Sequence, residues 1–180
     1  MNQVVIENAI INSPFEEPKR HFRFTEDGIT NEIIEKRRTS SYFIPIPRPK
    51  KKGKQLSFET EWTEDRIEEN KLINRIRESV AKWRKGGYVG ISKTSERLLE
   101  HWRSDDRERK LFFCQIEALE TAIYITEVAR KYDPWIENEL RTANAEANPL
   151  IFRMAVKMAT GSGKTVVMAM LIAWQALNKF

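Results

Sequence analysis

Apolar positions recur along this chain in several rhythms, and each rhythm predicts an element. Over residues 151–157 (Ile-Phe-Arg-Met-Ala-Val-Lys) they are nearly continuous, with Pro149 just upstream, which is the pattern of a central parallel strand covered on both faces. Residues 166–177 stay apolar for too long to be a strand and are rich in helix formers, so a helix is expected there. Upstream, Phe112, Ile116, Leu119 and Ile123 make one helical stripe, with Ala122, Thr126 and Ala129 beside it. Asp133 and Pro134 read as N-cap and first residue of a further helix through Trp135, Ile136 and Leu140, ending before Asn148-Pro149.

Ile73, Ile76, Val80 and Trp83 recur at helical spacing, between an N-cap at Thr63 followed by Glu64 and Asp65 and a stop at Gly86-Gly87. Thr94 or Ser95 is expected to cap another helix carrying Leu98, Leu99 and Trp102, which Ser104-Asp105-Asp106 breaks. Trp83 and Trp102 have the chemistry to stack on bases, but filling a helical core is the commoner use of such residues. Nearer the N-terminus, Val4, Val5 and Ile6, then Ile10 and Ile11, suggest a strand before Pro14 and Pro18 break regular structure. His21, Phe22, Arg23 and Phe24 alternate like a half-buried strand, and Asp27-Gly28 signals a turn into a second strand over residues 33–38. A small antiparallel element is expected here.

The segment 42–54 (Tyr-Phe-Ile-Pro-Ile-Pro-Arg-Pro-Lys-Lys-Lys-Gly-Lys) is forced to be extended by its prolines and kept solvated by its lysines. It reads as a linker or as a strip that contacts phosphates. The division that follows is an N-terminal extension over residues 1–60, a helical segment over 61–108, and the start of a P-loop ATPase domain over 109–180. The expected class is α/β, an incomplete RecA-like parallel-sheet domain preceded by a mixed β and helical region.

Between the expected strand and the last helix lies Met158-Ala159-Thr160-Gly161-Ser162-Gly163-Lys164-Thr165. A strand, a glycine loop and a helix in that order aim backbone N–H groups and a helix N-terminus at a polyphosphate. Gly161 and Gly163 let the backbone curl, with positive φ where the loop needs it. Lys164 is placed to reach the β and γ phosphates, and the Thr165 hydroxyl to take a position on Mg²⁺; Thr160 and Ser162 contribute mainly backbone N–H groups. Met158 stands where the general pattern wants a small residue.

Charge refines the picture. The net charge of +5 comes from eleven cations against eight acids over residues 1–60 and thirteen against eleven over 61–110, with seven of each over 111–180. The excess lies ahead of the P-loop, as in a nucleic-acid-facing N-terminal portion. The single cysteine, Cys114, sits in an apolar run and is expected to be a buried thiol, while His21 and His101 stand far apart, so neither disulfides nor a zinc cluster are indicated. Residues 1–11 lack the basic head and apolar core of a signal peptide, and Gln175 and Asn178 interrupt the last helix, so no membrane span and a cytoplasmic location are expected.

Residues 157–165 resemble motif I of superfamily 2 helicases and translocases, and within that group the restriction-enzyme branch, where a methionine commonly stands at the position of Met158. Leu111-Phe112-Phe113-Cys114-Gln115-Ile116-Glu117-Ala118 resembles the element of these motors whose glutamine reads the adenine edge. Together they resemble the N-terminal part of a type III-like restriction endonuclease subunit. The resemblance implies that Gln115 binds adenine, that Gly161, Gly163 and Lys164 hold the phosphates with Lys164 as the catalytic cation, and that Thr165 holds magnesium. It implies ATP and Mg²⁺ as cofactors, and as partners DNA and a methyltransferase or specificity subunit.

The family's acidic D-E-x-x motif and its second-domain arginines match nothing in these residues. The sequence therefore reads as the front of a larger motor, cut inside its ATPase domain, with apolar surface left exposed over residues 166–177 unless a partner supplies the remaining sheet. Glu32, Glu35 and Lys36 invite a nuclease reading, but a charged strand edge is the plainer account. Two alternatives stay open: another P-loop protein such as a kinase, and a non-enzymatic remnant that binds nucleic acid.

Overall fold

A computed structural model of the protein describes Ile6 and residues 8–25, 28–44 and 67–179. The expectations at Val4 and Val5, at Asp27, over residues 45–54 and at Thr63, Glu64 and Asp65 lie outside the described residues. The chain divides into two compact units, one of Met1–Ser13 with Glu17–Asn74, the other of Pro14–Glu16 with Arg75–Phe180.

In the first unit, β1 (His21–Thr25) and β2 (Gly28–Ile34) form an antiparallel pair in which His21 faces Ile34 and Thr25 faces Gly28. The second strand thus begins earlier than the expected residues 33–38, because Gly28, at φ +111°, already turns the chain back into the ladder. The register shifts between Phe22 and Phe24, where the Thr30 hydroxyl donates to the Arg23 carbonyl at 3.1 Å. Ile10 and Ile11 are in no strand; the neighbouring Asn12 side chain instead accepts from the N–H groups of Lys19 (3.0 Å) and Arg20 (3.1 Å).

A second ladder pairs β3 (Ser41–Phe43) with β4 (Ile67–Glu69). Here the helix expected from Thr63 onward is corrected: residues 67–69 are strand, and α1 (Lys71–Lys85) starts only after them. The cause is a distant partner. Tyr42 donates its hydroxyl to Glu68 at 2.7 Å, and Asn74 clasps Ser40, accepting from its N–H at 2.8 Å and donating to its carbonyl at 3.1 Å.

The second unit is helical: the rest of α1, α2 (Lys93–Arg103), α3 (Phe113–Ile123), a π-helical turn (Tyr124–Val128), α4 (Ala129–Tyr132), α5 (Pro134–Ala147) and α6 (Lys164–Asn178). Its core takes Ile76, Val80 and Trp83 from α1, Leu99 and Trp102 from α2, Leu119 and Ile123 from α3, and Val167, Met170 and Trp174 from α6. Trp83 and Trp102 are both buried, as core fillers. Ser92, not Thr94 or Ser95, caps α2, its Oγ accepting from the Ser95 N–H at 3.1 Å.

The stripe through Ile116, Leu119 and Ile123 and the flanking Ala122 and Ala129 are buried as expected, but Thr126 is exposed and Tyr124 and Val128 are buried instead. The π turn adds one residue to the helical repeat and so rotates the inward face. It also carries Glu127 to the start of α2, where the carboxylate accepts from the Ser92 N–H at 2.7 Å, the Ser95 hydroxyl, and the Trp174 indole at 3.0 Å. One half-buried acid thereby ties α2, the π turn and α6 together.

Two phenols in this unit predict an alkaline limit. Burial, then the bond to Glu120, pushes the Tyr88 hydroxyl above its ordinary pKa; burial, then the bond to Asp133, does the same to Tyr124. A raised pKa stabilises the fold below the unfolded value of about 10, and that contribution is lost as pH rises further. Melts from pH 8 to pH 11 should show Tm falling above about pH 10, and Tyr88→Phe with Tyr124→Phe should flatten the fall. An equally steep fall in the double variant would refute this origin.

Candidate phosphate-binding site

The segment 151–157 is neither helix nor strand and joins no ladder; both sheets among the described residues are antiparallel pairs of the first unit. A strand is defined by the neighbour it bonds to, and an apolar run alone does not supply one. Ile151, Phe152, Met154 and Val156 are exposed, as are Val166, Met168, Ile172 and Leu177 on α6. Asn144 holds the entry to this segment, donating to the Ile151 carbonyl at 3.0 Å and accepting from the Arg153 N–H at 2.9 Å.

The loop that follows is curled on itself. Gly161 and Gly163 both lie in the left-handed region, at φ +77° and +78°, and Gly163 is the N-cap of α6. The Ala159 carbonyl accepts from the Ser162 hydroxyl at 2.7 Å and from the Lys164 ammonium at 3.0 Å. Thr160, Lys164 and Thr165 are exposed, with Lys164 and Thr165 as the first two residues of the helix.

Gln115, far upstream in sequence, meets this loop. It is 5% exposed; its Oε1 accepts from the Phe112 N–H at 2.9 Å, and its Nε2 donates to the Ser162 carbonyl at 3.1 Å. The first bond satisfies an orphan donor at the start of α3, as the reaching-back half of a capping box does. The second fastens α3 to the loop. The approach is so close that a Cβ on Gly163 would stand 2.1 Å from the Gln115 Nε2. Gln115, Ser162 and Gly163 are therefore in direct contact, with Gly161 and Lys164 beside them and Thr160 and Thr165 at the exposed rim.

Pro14, expected only to break regular structure, and Phe15 also meet this helix end. The Phe113 N–H donates to the Pro14 carbonyl at 2.8 Å, and the Phe15 ring lies 5.7 Å from that of Phe112. No periodicity marks that contact; only the proximity of Gln115 in three dimensions singles it out. Cys114, expected to be buried, is exposed, because the inward face of α3 runs through Gln115 and Ile116 and turns Cys114 away. Glu32 pairs with Arg23 at 3.0 Å across β1 and β2, as a charged strand edge does.

No family model matches the chain, and no curated protein or solved structure matches it. Among the described residues no three His, Cys, Asp or Glu side chains gather into a metal-binding group, and no helix is long and apolar enough to cross a membrane. The loop residues suit a triphosphate: two glycines at positive φ, an exposed ammonium and an exposed hydroxyl at the N-terminus of a 15-residue helix.

Proposed function

We propose that the chain is the ATP-binding segment of a DNA-dependent helicase or translocase subunit of a restriction system, in which ATP hydrolysis drives movement along DNA. One observation carries this reading: Gln115 lies against the glycine loop, bonded to the Ser162 carbonyl at 3.1 Å. Two stretches that separately resemble parts of one ATP site thus meet in space.

In this reading Gly161 and Gly163 curve the backbone around the phosphates, and Lys164 exchanges the Ala159 carbonyl for phosphate oxygens. Thr165 holds Mg²⁺, which supplies charge neutralisation at the transferring phosphoryl group. The two bonds of Gln115 use one of its two N–H donors and one of its two carbonyl lone pairs, which leaves one of each for adenine. The α/β class follows as part of the proposal: further parallel strands cover residues 151–157 and the exposed face of α6, completing a RecA-like sheet. DNA and a methyltransferase or specificity subunit are its partners, and the cytoplasm its compartment.

The test is ATP binding by the full chain with Mg²⁺, followed by equilibrium dialysis. Lys164→Ala should weaken ATP binding by roughly ten- to a hundredfold, the effect of losing a charge-assisted contact. Gln115→Ala should cost affinity for ATP but little for GTP. ATP binding that is absent, or indifferent to Lys164→Ala, would overturn the proposal.

A further inference from the structure

Away from the loop, the second unit contains a cavity of about 280 Å³ between the end of α1, the π turn and α4. Its floor is aromatic, formed by Trp83 and Tyr124, whose rings lie 5.2 Å apart. Its lips are Val89 and Tyr132, which are 60% and 50% exposed. Gly90, at φ +94°, allows the close approach that seats the Tyr132 ring: a Cβ there would stand 3.1 Å from it. Ser79, Lys82 and Asp133 supply the polar part of its lining.

Asp133 was expected to cap α5. It occupies the N-cap position, but its carboxylate makes no capping bond and lines the slot instead, accepting from the Tyr124 hydroxyl at 2.5 Å and the Trp135 indole at 3.1 Å. Burial works against its charge, but the bonds from Tyr124, Ser79 and Trp135 and the charge of Lys82 outweigh it and hold the carboxyl below its ordinary value. Asp133 is thus an acceptor only. Two exposed cations adjoin the slot: Lys82, which lines it, and Lys131, whose ammonium lies 5.2 Å over the Tyr132 ring.

We propose that this slot receives an unpaired nucleobase of a single-stranded nucleic acid, with Lys82 and Lys131 meeting the adjoining phosphates. The half-exposed Tyr132 ring gives a flat heterocycle its stacking surface, above a floor of buried aromatic side chains. Asp133, an anionic acceptor in the wall of the slot, suits the exocyclic amine of cytosine or adenine. These two cations complement a phosphate backbone and disfavour a cationic protein side chain. The site shares no residue with the P-loop.

The experiment is fluorescence anisotropy of the full chain with labelled single-stranded oligodeoxycytidylate, without nucleotide, against an abasic strand of equal length. The oligodeoxycytidylate should bind more tightly. Tyr132→Ala should weaken its binding roughly tenfold, the scale of one lost base stack, and leave abasic binding unchanged. Val89→Glu, at an exposed lip, should act in the same direction, and unchanged melting of both variants shows that folding is intact. Lys82→Ala should reduce the salt dependence. Equal binding of the abasic strand, or indifference to Tyr132→Ala, would overturn the assignment. Equal competition by free cytidine monophosphate would assign the slot to a free nucleotide and overturn the strand. Lys164→Ala should leave all of these results unchanged, so the ATP reading and this one fail separately.

Discussion

Glu120→Ala is expected to destabilise the second unit by about 3 kcal/mol, the lower part of the range for removing one partner of a buried ion pair. Glu120 is fully buried; it accepts from the Arg84 Nε at 2.8 Å and the Tyr88 hydroxyl at 2.5 Å, and its Oε2 lies 2.6 Å from the Arg84 Nη2. Truncation leaves the Arg84 guanidinium, itself only 14% exposed, without its main counter-charge. Glu117, 3.7 Å from the same nitrogen, compensates in part. The check is a urea titration followed by circular dichroism, read as a lower midpoint at constant slope. Glu120→Gln, which keeps one oxygen to accept from Arg84 and turns its amide N–H toward the Tyr88 oxygen, should lose clearly less. A double change, Glu120→Leu with Arg84→Met, should recover much of the loss, since an apolar pair carries no desolvation cost. If the double variant is no better than Glu120→Ala, the loss comes from packing and the buried-charge account fails.

Gly163→Ala should be the second large effect, costing roughly 3 kcal/mol where Gly161→Ala costs about 1 kcal/mol. Both glycines have the same left-handed φ, so both substitutions pay the steric cost of a Cβ in that region. They differ in what the Cβ meets. At Gly161 nothing lies within 4 Å, whereas at Gly163 it falls 2.1 Å from the Gln115 Nε2. That amide can swing aside, but it then abandons the Ser162 carbonyl and the Phe112 N–H together. In a Gln115→Ala background the cost of Gly163→Ala should therefore fall toward that of Gly161→Ala. Additive losses in this double-mutant cycle would show that the contact between α3 and the loop carries no energy.

Much of this follows from short-range chemistry. Gly86-Gly87, Asp133-Pro134 and Asn148-Pro149 bound their helices because left-handed caps and missing N–H groups act within one or two residues. Gly161 and Gly163 are at positive φ because the loop bends where only glycine bends freely. The assembly of the candidate site was half legible. Gln115 and the loop could each be named from their neighbours, but nothing local reports that 47 residues of chain return the one to the other.

What the sequence by itself determined is the order and type of the long helices and the bends of the glycine loop, since spacing, caps and backbone preferences are local. Only the tertiary structure decided the rest. Residues 67–69 became strand because residues 41–43 were there to pair with them. The stripe of α3 was rotated by a π turn that brings Glu127 to Ser92 and Trp174. Asp133 gave its carboxylate to Tyr124 and not to its own helix. In each case the bond that decided the outcome joins positions far apart in the chain or on different elements, and its energy exists only once both are in place.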